Sequence, residues 1–466
     1  MTKASGQRLM VLVSAAALHA CSIAPLPALD DEVPPDWAGR SVGDWPAQDW
    51  WNGFGSDELS ELMSQVQARN PGLKNAERAL RQAQLALIDA GFDLYPTPIA
   101  DFATSATYTG SKPPNGDFSD ARSESASLSV GIGYADILTK PYRFESAEAT
   151  FDSAVAQLAS TRLNLLGTTA STYFGILFTR DQIEAAKRNL DNAETIGHIT
   201  QARVDAGVLT PLDALQQQIQ VQRQRNALAQ LRQQEYSARA ALAVLLGEPV
   251  RKLNVRATTL AELATPKVAP GLPSELLVRR PDIVQAELNL RRARANVGIA
   301  RNALLPSISL TAAANTVSTS LRELASNRAL FVSLSPSLAQ SVFDFGRRGR
   351  ANESARLGME SALASYRETV IRAFNDIDVA LGNIELLESL DAILLEELSR
   401  AEESLRIAEV RYREGVIDYQ RVLSAQEFLY SARNSVLSNK RAYLNAVVAI
   451  YQALGGGWRS DRQGRG

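Results

Sequence analysis

Two regions of the chain alternate large apolar residues with small or polar ones, which is the period of a β-strand whose faces meet different surroundings. Every second residue is large and apolar in SLSVGIGYA (127–135), and FVSLSPSLA (331–339) repeats the pattern. The alternation predicts two strands in each region, at about 98–135 and 306–339. A soluble sandwich also alternates, but the rest of the chain predicts no second sheet. The pattern therefore favours apolar side chains that face lipid and small polar ones that face a lumen.

Helical periodicity dominates the remaining chain. It continues for roughly 65 residues from about Pro141 to Ala206 and again from Arg347 to Glu414, enough for about 100 Å of α-helix each time. In the second stretch, apolar and small residues recur at steps of three and four, the pattern of a coiled-coil seam. The seam residues are Leu398, Ala401, Leu405, Ala408 and Tyr412.

Each long helical stretch ends at a glycine, Gly207 or Gly415, and a similar helical pattern returns through residues 212–246 and 420–454. Glycine is a poor helix former and turns the chain easily, so each glycine predicts the bend of a helical hairpin. The bends are predicted near residues 207–211 and 415–419.

The hairpin sequences indicate an internal duplication. RVDAGVLTPLDALQQQ (203–218) and RYREGVIDYQRVLSAQ (411–426) share arginine, glycine, valine, leucine and glutamine 208 positions apart. The segments that begin at Pro71 and Pro281 align in the same way at a separation of 210. A period this long indicates a duplicated fold unit. We predict a first repeat over 48–247, a linker over 248–280, a second repeat over 281–455 and a disordered tail over 456–466.

Four membrane strands are too few to close a barrel, since about eight is the minimum. An open sheet edge is not tolerated in lipid, because its backbone groups would lack hydrogen-bond partners. The chain is therefore expected to oligomerise into a tube, with a β part in a membrane and a helical part that reaches away from it.

The N-terminus has the form of a secretory signal. MTKASGQRLMVLVSAAALHA carries positive charges, then an apolar stretch, then small residues. The only cysteine, Cys21, follows directly, and LHAC resembles a bacterial lipobox, in which the thiol receives a lipid after cleavage. We predict a signal peptide over 1–20, lipidation at Cys21 and an extended, proline-rich tether over 21–47. A cytosolic N-terminus with a buried cysteine is the alternative.

The composition offers little for catalysis. With 21% charged residues and a net charge of −2, the chain has no general attraction to nucleic acid. Its histidines, His19 in the signal and His198 within a helical pattern, predict neither a histidine triad nor a zinc site. Arg291, Arg292 and Arg294 are typical of a solvated or ion-paired helix face. We expect no catalytic residue, no metal and no cofactor apart from the covalent lipid on Cys21.

Several segments are similar to one known family. These are LPSELLVRRPDIVQAELNLRRARANVGIARNALLPSISLTAA (272–313), WWNGFGSDELSELMSQVQARNPGL (50–73), SVFDFGRRGRANESA (341–355) and the second hairpin sequence (411–426). They resemble a signature stretch, an N-terminal motif, a strand-to-helix junction and a hairpin end of the TolC/OprM-like outer-membrane factors, in their lipoprotein (NodT-type) branch. The resemblance covers nearly all of residues 21–455.

The resemblance implies a mainly α protein with a small β part. Long antiparallel helical hairpins would form an α-barrel, and four transmembrane strands per chain would close as a trimeric, twelve-stranded β-barrel. It also implies a lipid-anchored, outer-membrane exit duct of a tripartite efflux system, with a periplasmic adaptor and an inner-membrane pump of the resistance-nodulation-division (RND) type. A type I protein secretion duct and a non-conducting periplasmic coiled-coil scaffold are the alternatives, and the membrane strands argue against the scaffold. The sequence does not distinguish drug, metal, siderophore or lipopeptide as substrate.

In the family, the hairpin ends contact the adaptor and form the gate. Threefold symmetry would turn Asp213 into a ring of carboxylates. The family commonly has aspartate six or nine residues after the second glycine, where this chain has Arg421 and Ser424. Asp213 and Arg421 are equivalent in the two repeats, so our hypothesis is that they pair and latch the closed end. An exposed pair worth at most about 1 kcal/mol is the alternative. Asp418, as a lumen- or adaptor-facing acid, and Tyr412, as a brace of the bend, are further candidates.

Overall fold

The computed structural model describes residues 45–111, 119–266, 276–318, 330–341 and 343–459. The predicted signal peptide, Cys21, nearly all of the tether, residues 267–275 of the linker and residues 460–466 of the tail lie outside these ranges. Most of the described chain is helical and its strands form a single small sheet, as the sequence predicts.

The long helices and the strands begin and end close to the predicted positions. The helices are α1 (Asp57–Arg69), α2 (Pro71–Phe92), α3 (Lys140–Asp205), α4 (Pro211–Leu245), α5 (Leu276–Arg279), α6 (Pro281–Asn302), α7 (Arg347–Arg413) and α8 (Tyr419–Ala453). The strands are β1 (Thr97–Ser111), β2 (Ser119–Tyr134), β3 (Ser307–Ser318) and β4 (Phe331–Ala339). Short 3₁₀ helices cover Trp50–Phe54, Val250–Lys252 and Leu260–Glu262. Helices α3 and α7 contain 66 and 67 residues.

The described residues form two compact units. The first contains those of 79–154 and 285–366 and carries the sheet. The second contains those of 45–78, 155–284 and 367–459 and carries both hairpin bends.

In the first unit, the strands pair in the order β1-β2-β3-β4, and each neighbouring pair is antiparallel. The central pair joins the two repeats, because Tyr134 of β2 lies opposite Leu310 of β3. β1 and β4 are therefore the edge strands of the sheet.

The core of the second unit is built from aromatic and aliphatic side chains of both repeats. The ring of Trp50 stacks on that of Tyr451 at a centroid distance of 5.0 Å, and Phe54 meets Phe174 edge to face at 5.1 Å. Leu242 of α4 is fully buried in the same cluster. The N-terminal segment thus packs against helices from each half of the duplication.

The duplication is also visible in two equivalent contacts, which we call the repeat clasps. In the first clasp, Asn70 Nδ2 donates a hydrogen bond to the carbonyl of Leu245 at 2.7 Å. In the second clasp, Arg280 Nη1 donates to the carbonyl of Ala453 at 3.3 Å. We call α4 and α8, which follow the two bends, the return helices. Each clasp gives a hydrogen-bond donor to a carbonyl at the end of a return helix, and this carbonyl has no partner within the helix.

Arg280 makes the second clasp an ionic one. Its buried guanidinium binds both carboxylate oxygens of Asp282, at 3.0 and 2.7 Å, and reaches Asp376 at 3.0 Å. Burial opposes the charge, but the hydrogen bonds and charges of the two carboxylates prevail and raise the pKa of Arg280 above its ordinary value. The arginine therefore stays charged and joins α6, α7 and the end of α8.

The chain continues as a turn beyond residue 455, where the sequence predicts the disordered tail. Gly455, Gly456 and Gly457 have φ values of 80°, 57° and 77°, and the amide of Trp458 donates to the carbonyl of Gly455 at 3.0 Å. Three successive glycines permit this run of left-handed conformations. The described part of the predicted tail, residues 456–459, is thus a structured turn.

Candidate functional site in the sheet and at the hairpin bends

The register of the sheet places most of the large apolar side chains of the four strands on one face. Directly opposed residues of antiparallel strands share a face, and Phe102 opposes Leu128 while Leu310 opposes Tyr134. The exposed apolar residues of this face include Phe102, Leu128, Val130, Ile132, Ile308, Leu310, Val332, Leu334 and Leu338.

The opposite face carries mostly small and polar side chains, with Ile99, Val317 and Phe331 as its large apolar exceptions near the strand ends. Its residues include Ser127, Ser129, Gly131, Gly133, Thr311, Asn315, Ser333, Ser335 and Ser337. The apolar side chains of the first face are in large part exposed, and Val332 is 79% exposed. A broad exposed apolar surface of this kind marks contact with a membrane or a partner, and a polar second face suits a water-filled lumen.

The first hairpin bend is closed by a capping box. Gly207 has a φ of 73°, and α4 begins after Thr210. The carboxylate of Asp213 accepts hydrogen bonds from the Thr210 amide at 2.9 Å and from its hydroxyl at 2.7 Å. These hydrogen bonds lower the pKa of Asp213. Because that pKa is lowered, the carboxylate is charged and the cap is present at neutral pH, and the cap is lost only when the pH falls through the lowered pKa.

The second bend uses another residue for the same purpose. Gly415 has a φ of 74°, and Asp418 is the N-cap of α8, where its side chain accepts a hydrogen bond from the Arg421 amide at 3.1 Å. The two repeats thus each place one carboxylate at the start of the return helix, at the third helical position in the first and at the N-cap in the second. The exchange of Asp213 for Arg421 at equivalent positions follows from this shift of the capping acid.

Within the described chain, Asp213 and Arg421 do not form an ion pair with each other. Asp213 is bound to Thr210 of its own bend, and Arg421 contacts Asp418 through its backbone amide. Ser424 is half-buried on α8. If Asp213 and Arg421 pair, they therefore do so between two copies of the chain and not within one.

The contact that does join the two bends is made by Arg203 and Tyr412. Arg203 Nη1 donates to the Tyr412 hydroxyl at 3.0 Å, and its guanidinium carbon lies 5.1 Å from the centre of the Tyr412 ring. The Tyr412 ring in turn lies 5.7 Å from that of Tyr419, whose pKa burial raises to about 12. Sequence reasoning singled out Tyr412 but missed Arg203 and Tyr419.

The described residues contain no group of three histidine, cysteine or acidic side chains placed to hold a metal ion. In the same ranges, no helix combines the length and the apolar character needed to cross a membrane.

Comparison with known proteins agrees with the geometry of the sheet and the hairpins. Residues 62–248 and 272–456 match the model of the family described as outer membrane efflux protein. The chain is 33% identical over 473 residues to the pyoverdine export outer membrane protein OpmQ of Pseudomonas aeruginosa, covering 99% of both proteins. It is 26% identical over 464 residues to the cation efflux system protein CusC of Escherichia coli, covering 97% of this chain and 99% of CusC.

The solved structure of the outer-membrane channel OprN has the same fold. It superimposes with a TM-score of 0.84 at 26% sequence identity, covering 94% of this chain and 100% of OprN. The resemblance inferred from the sequence is confirmed, and the family is one of efflux channels and not of enzymes. The chain belongs to the outer membrane efflux protein family, and it is an outer-membrane exit duct of an efflux system.

Proposed function

We propose that three copies of the chain close the duct, with the edge strands β1 and β4 of neighbouring copies paired into a twelve-stranded barrel. The observation that carries this proposal is the register, which collects most of the large apolar residues on one face of the sheet and most of the small polar residues on the other. Pairing of the edges supplies the backbone hydrogen bonds that lipid cannot offer. The polar face then lines a water-filled passage and the apolar face meets lipid.

Channels of this family act in tripartite systems with a periplasmic adaptor and an inner-membrane pump. For this chain, the proposal is a pump of the RND type, a contact between the hairpin bends and the adaptor, and a lipid on Cys21. The family resemblance of the ELLVRRPDI segment and the lipobox support it. The mass of the mature N-terminal peptide, with or without an added lipid, tests the anchor. Substrate choice is assigned to the pump, in keeping with relatives named for pyoverdine and for cations.

The bends form the gate in this proposal, and Arg203 holds the two bends of one chain together. We expect the purified protein to give small discrete conductance steps in planar bilayers. Arg203→Ala should give steps several-fold larger, because it removes both the hydrogen bond to Tyr412 and a cation–π contact worth about 0.5–1 kcal/mol.

The control is Arg223→Ala, which removes an exposed arginine of α4 that makes no ion pair within the described chain. This control should conduct like the unmodified protein. Absence of conductance from the unmodified protein and from every variant, including Arg203→Ala, would contradict the duct and favour a scaffold. Equal steps from Arg203→Ala and the unmodified protein would remove the Arg203–Tyr412 contact from the gate and leave the duct standing.

Pairing of Asp213 with Arg421 of a neighbouring copy is the second gate contact in the proposal. Cells that carry Asp213→Arg or Arg421→Asp should admit more of a bulky antibiotic, and the double swap should restore the barrier. Arg421→Asp is the more informative single change, because Asp418 still caps α8, whereas Asp213→Arg also removes the capping box. If the double swap leaks as much as either single change, the latch is wrong.

A further inference from the structure

The junction between β4 and α7 carries an exposed aromatic and cationic patch, which we call the rim patch: Phe343, Phe345, Arg347 and Arg350. Phe343 and Phe345 are 73% and 79% exposed, and their rings meet edge to face at 4.7 Å. They follow the exposed apolar residues of β4, of which Leu338 is 74% exposed. The patch therefore begins four residues after the end of a strand with an exposed apolar face.

The turn that presents these rings is held in an unfavourable backbone conformation. Phe345 has a φ of 55°, which is uncommon for an aromatic residue. The carboxylate of Asp344 organises the turn, accepting hydrogen bonds from the Gly346 amide at 3.0 Å and from Arg348 Nε at 2.8 Å. Arg350 adds a hydrogen bond to the Phe345 carbonyl at 2.8 Å. The outward position of the two rings is thus specified by several contacts.

The charges of the patch are not neutralised within the described chain. Helix α7 has no acidic residue in its first turn, although the helix dipole favours anions there. Arg348 is paired with Asp344. Arg347 and Arg350 are exposed, and no carboxylate of the described residues forms an ion pair with either. Two cations without a carboxylate partner, beside two exposed aromatic rings, complement an anionic surface with an apolar interior.

The equivalent junction of the first repeat also carries two cations, but both have partners. Aligned on the first residue of each long helix, Lys140 and Arg143 stand where the second repeat has Arg347 and Arg350. Lys140 lies over the Tyr134 ring, and Arg143 pairs with Asp136 at 3.5 Å. The exposed phenylalanine pair beside arginines without a carboxylate partner is therefore particular to the second repeat.

We propose that the rim patch binds the headgroup of an anionic glycerophospholipid in the leaflet at the helical end of the sheet. Phe343 and Phe345 lie at the boundary of headgroups and acyl chains, where aromatic residues are favoured, and Arg347 and Arg350 bind the phosphate. The inference rests on the proposed membrane position of the sheet, since only there does the patch meet a leaflet.

The first test is native mass spectrometry of the detergent-purified protein with phosphatidylglycerol or phosphatidylethanolamine of identical acyl chains. The unmodified protein should prefer phosphatidylglycerol. Arg347→Gln with Arg350→Gln should weaken phosphatidylglycerol binding by up to about thirtyfold, since each cation near an anionic surface contributes about fivefold. The double change of both arginines to lysine should keep most of the preference.

The matched control is Arg400→Gln with Arg406→Gln, which removes two exposed arginines much farther along α7 and should leave lipid binding unchanged. An unaltered preference in the Arg347 and Arg350 double variant, or an equal loss in the control, overturns the proposal. A protein that conducts normally but has no anionic preference overturns the lipid site alone and leaves the duct function intact.

The second test places an indole in the patch with Phe343→Trp, in vesicles that contain brominated phospholipid. Fluorescence from the added indole, measured as the difference from the unmodified protein, should be quenched by bromine near the headgroup. Absence of quenching would mean that another copy of the chain or another protein covers the aromatic pair, and it overturns the proposal.

Discussion

Val130→Arg is expected to abolish assembly of the duct in the outer membrane, whereas Ser129→Arg one residue earlier is expected to assemble. Val130 is 56% exposed on the apolar face, opposite Ala100 and Ala314. It lies four residues from the end of β2, about 13 Å along the strand, which places it well inside an apolar band about 25 Å tall. An arginine on the lipid face there costs about 2–4 kcal/mol per copy, and a trimer would carry three.

Ser129 belongs to the polar face, where an added arginine meets water and the carboxylate-bearing Asp101 directly opposite. The measurement is the amount of heat-resistant oligomer in the outer-membrane fraction, with Val130→Leu as the conservative control. Ser129→Arg should assemble but conduct less, because its side chain occupies the passage. Equal assembly of Val130→Arg and Ser129→Arg would contradict the assignment of the two faces.

Gly455→Ala is expected to prevent accumulation of folded protein. Gly455 has a φ of 80°, a conformation that strains any residue with a Cβ by about 1–2 kcal/mol. A Cβ there would also overlap the carbonyl oxygen of Arg279, which belongs to the backbone and cannot rotate away. Moving that backbone would shift Arg280 and open the second repeat clasp. Separating the buried guanidinium from its carboxylate partners costs about 3–5 kcal/mol.

The first repeat provides the matched control, Gly247→Ala. Gly247 has a φ of 68°, but a Cβ there would lie 3.0 Å from the carbonyl oxygen of Arg69, a contact that a small shift relieves. Gly247→Ala should therefore lower the melting temperature of the oligomer while the protein still accumulates. Normal yield and melting temperature for Gly455→Ala would show that the second clasp does not limit folding.

The strands and hairpins could be predicted because each depends on short-range patterns. Alternation with a period of two identifies β2 and β4 and also determines which residues share a face. The glycines of the bends mark the ends of the long helices because only glycine enters the left-handed conformation at low cost. Duplication then supports each assignment with a second copy.

The contacts at the bends could not be predicted from the same patterns. Arg203 aligns with Arg411 at a separation of 208. Comparison of the repeats therefore gives no sign that Arg203 contacts Tyr412. The roles of Asp213 and Asp418 depend on which residue begins each return helix, and helix boundaries are uncertain by one or two residues. The capping acid is at the third helical position in the first repeat and at the N-cap in the second. An alignment of the repeats shows this shift as the loss of an acidic residue.

The repeat clasps were equally hidden, because Asn70 and Arg280 occupy equivalent positions with different chemistry. An amide suffices to satisfy the carbonyl of Leu245. The arginine also binds Asp282 and Asp376, which only the folded chain brings within reach of it. What the two positions share is the backbone carbonyl to which each side chain donates, at the end of α4 or α8. A pattern of side chains in the sequence does not reveal the position of a backbone carbonyl.

The central claim is that the sheet separates lipid from a water-filled lumen, and cysteine scanning tests it most directly. Cysteines placed one at a time at residues 127–130 of β2 and 332–335 of β4 can be exposed to a membrane-impermeant maleimide in proteoliposomes, with the unmodified chain as background. We expect labelling with a period of two, strong at Ser127, Ser129, Ser333 and Ser335 and weak at the apolar residues Leu128, Val130, Val332 and Leu334. Uniform labelling of both faces would contradict a lipid-facing sheet, because it would place the whole sheet in water.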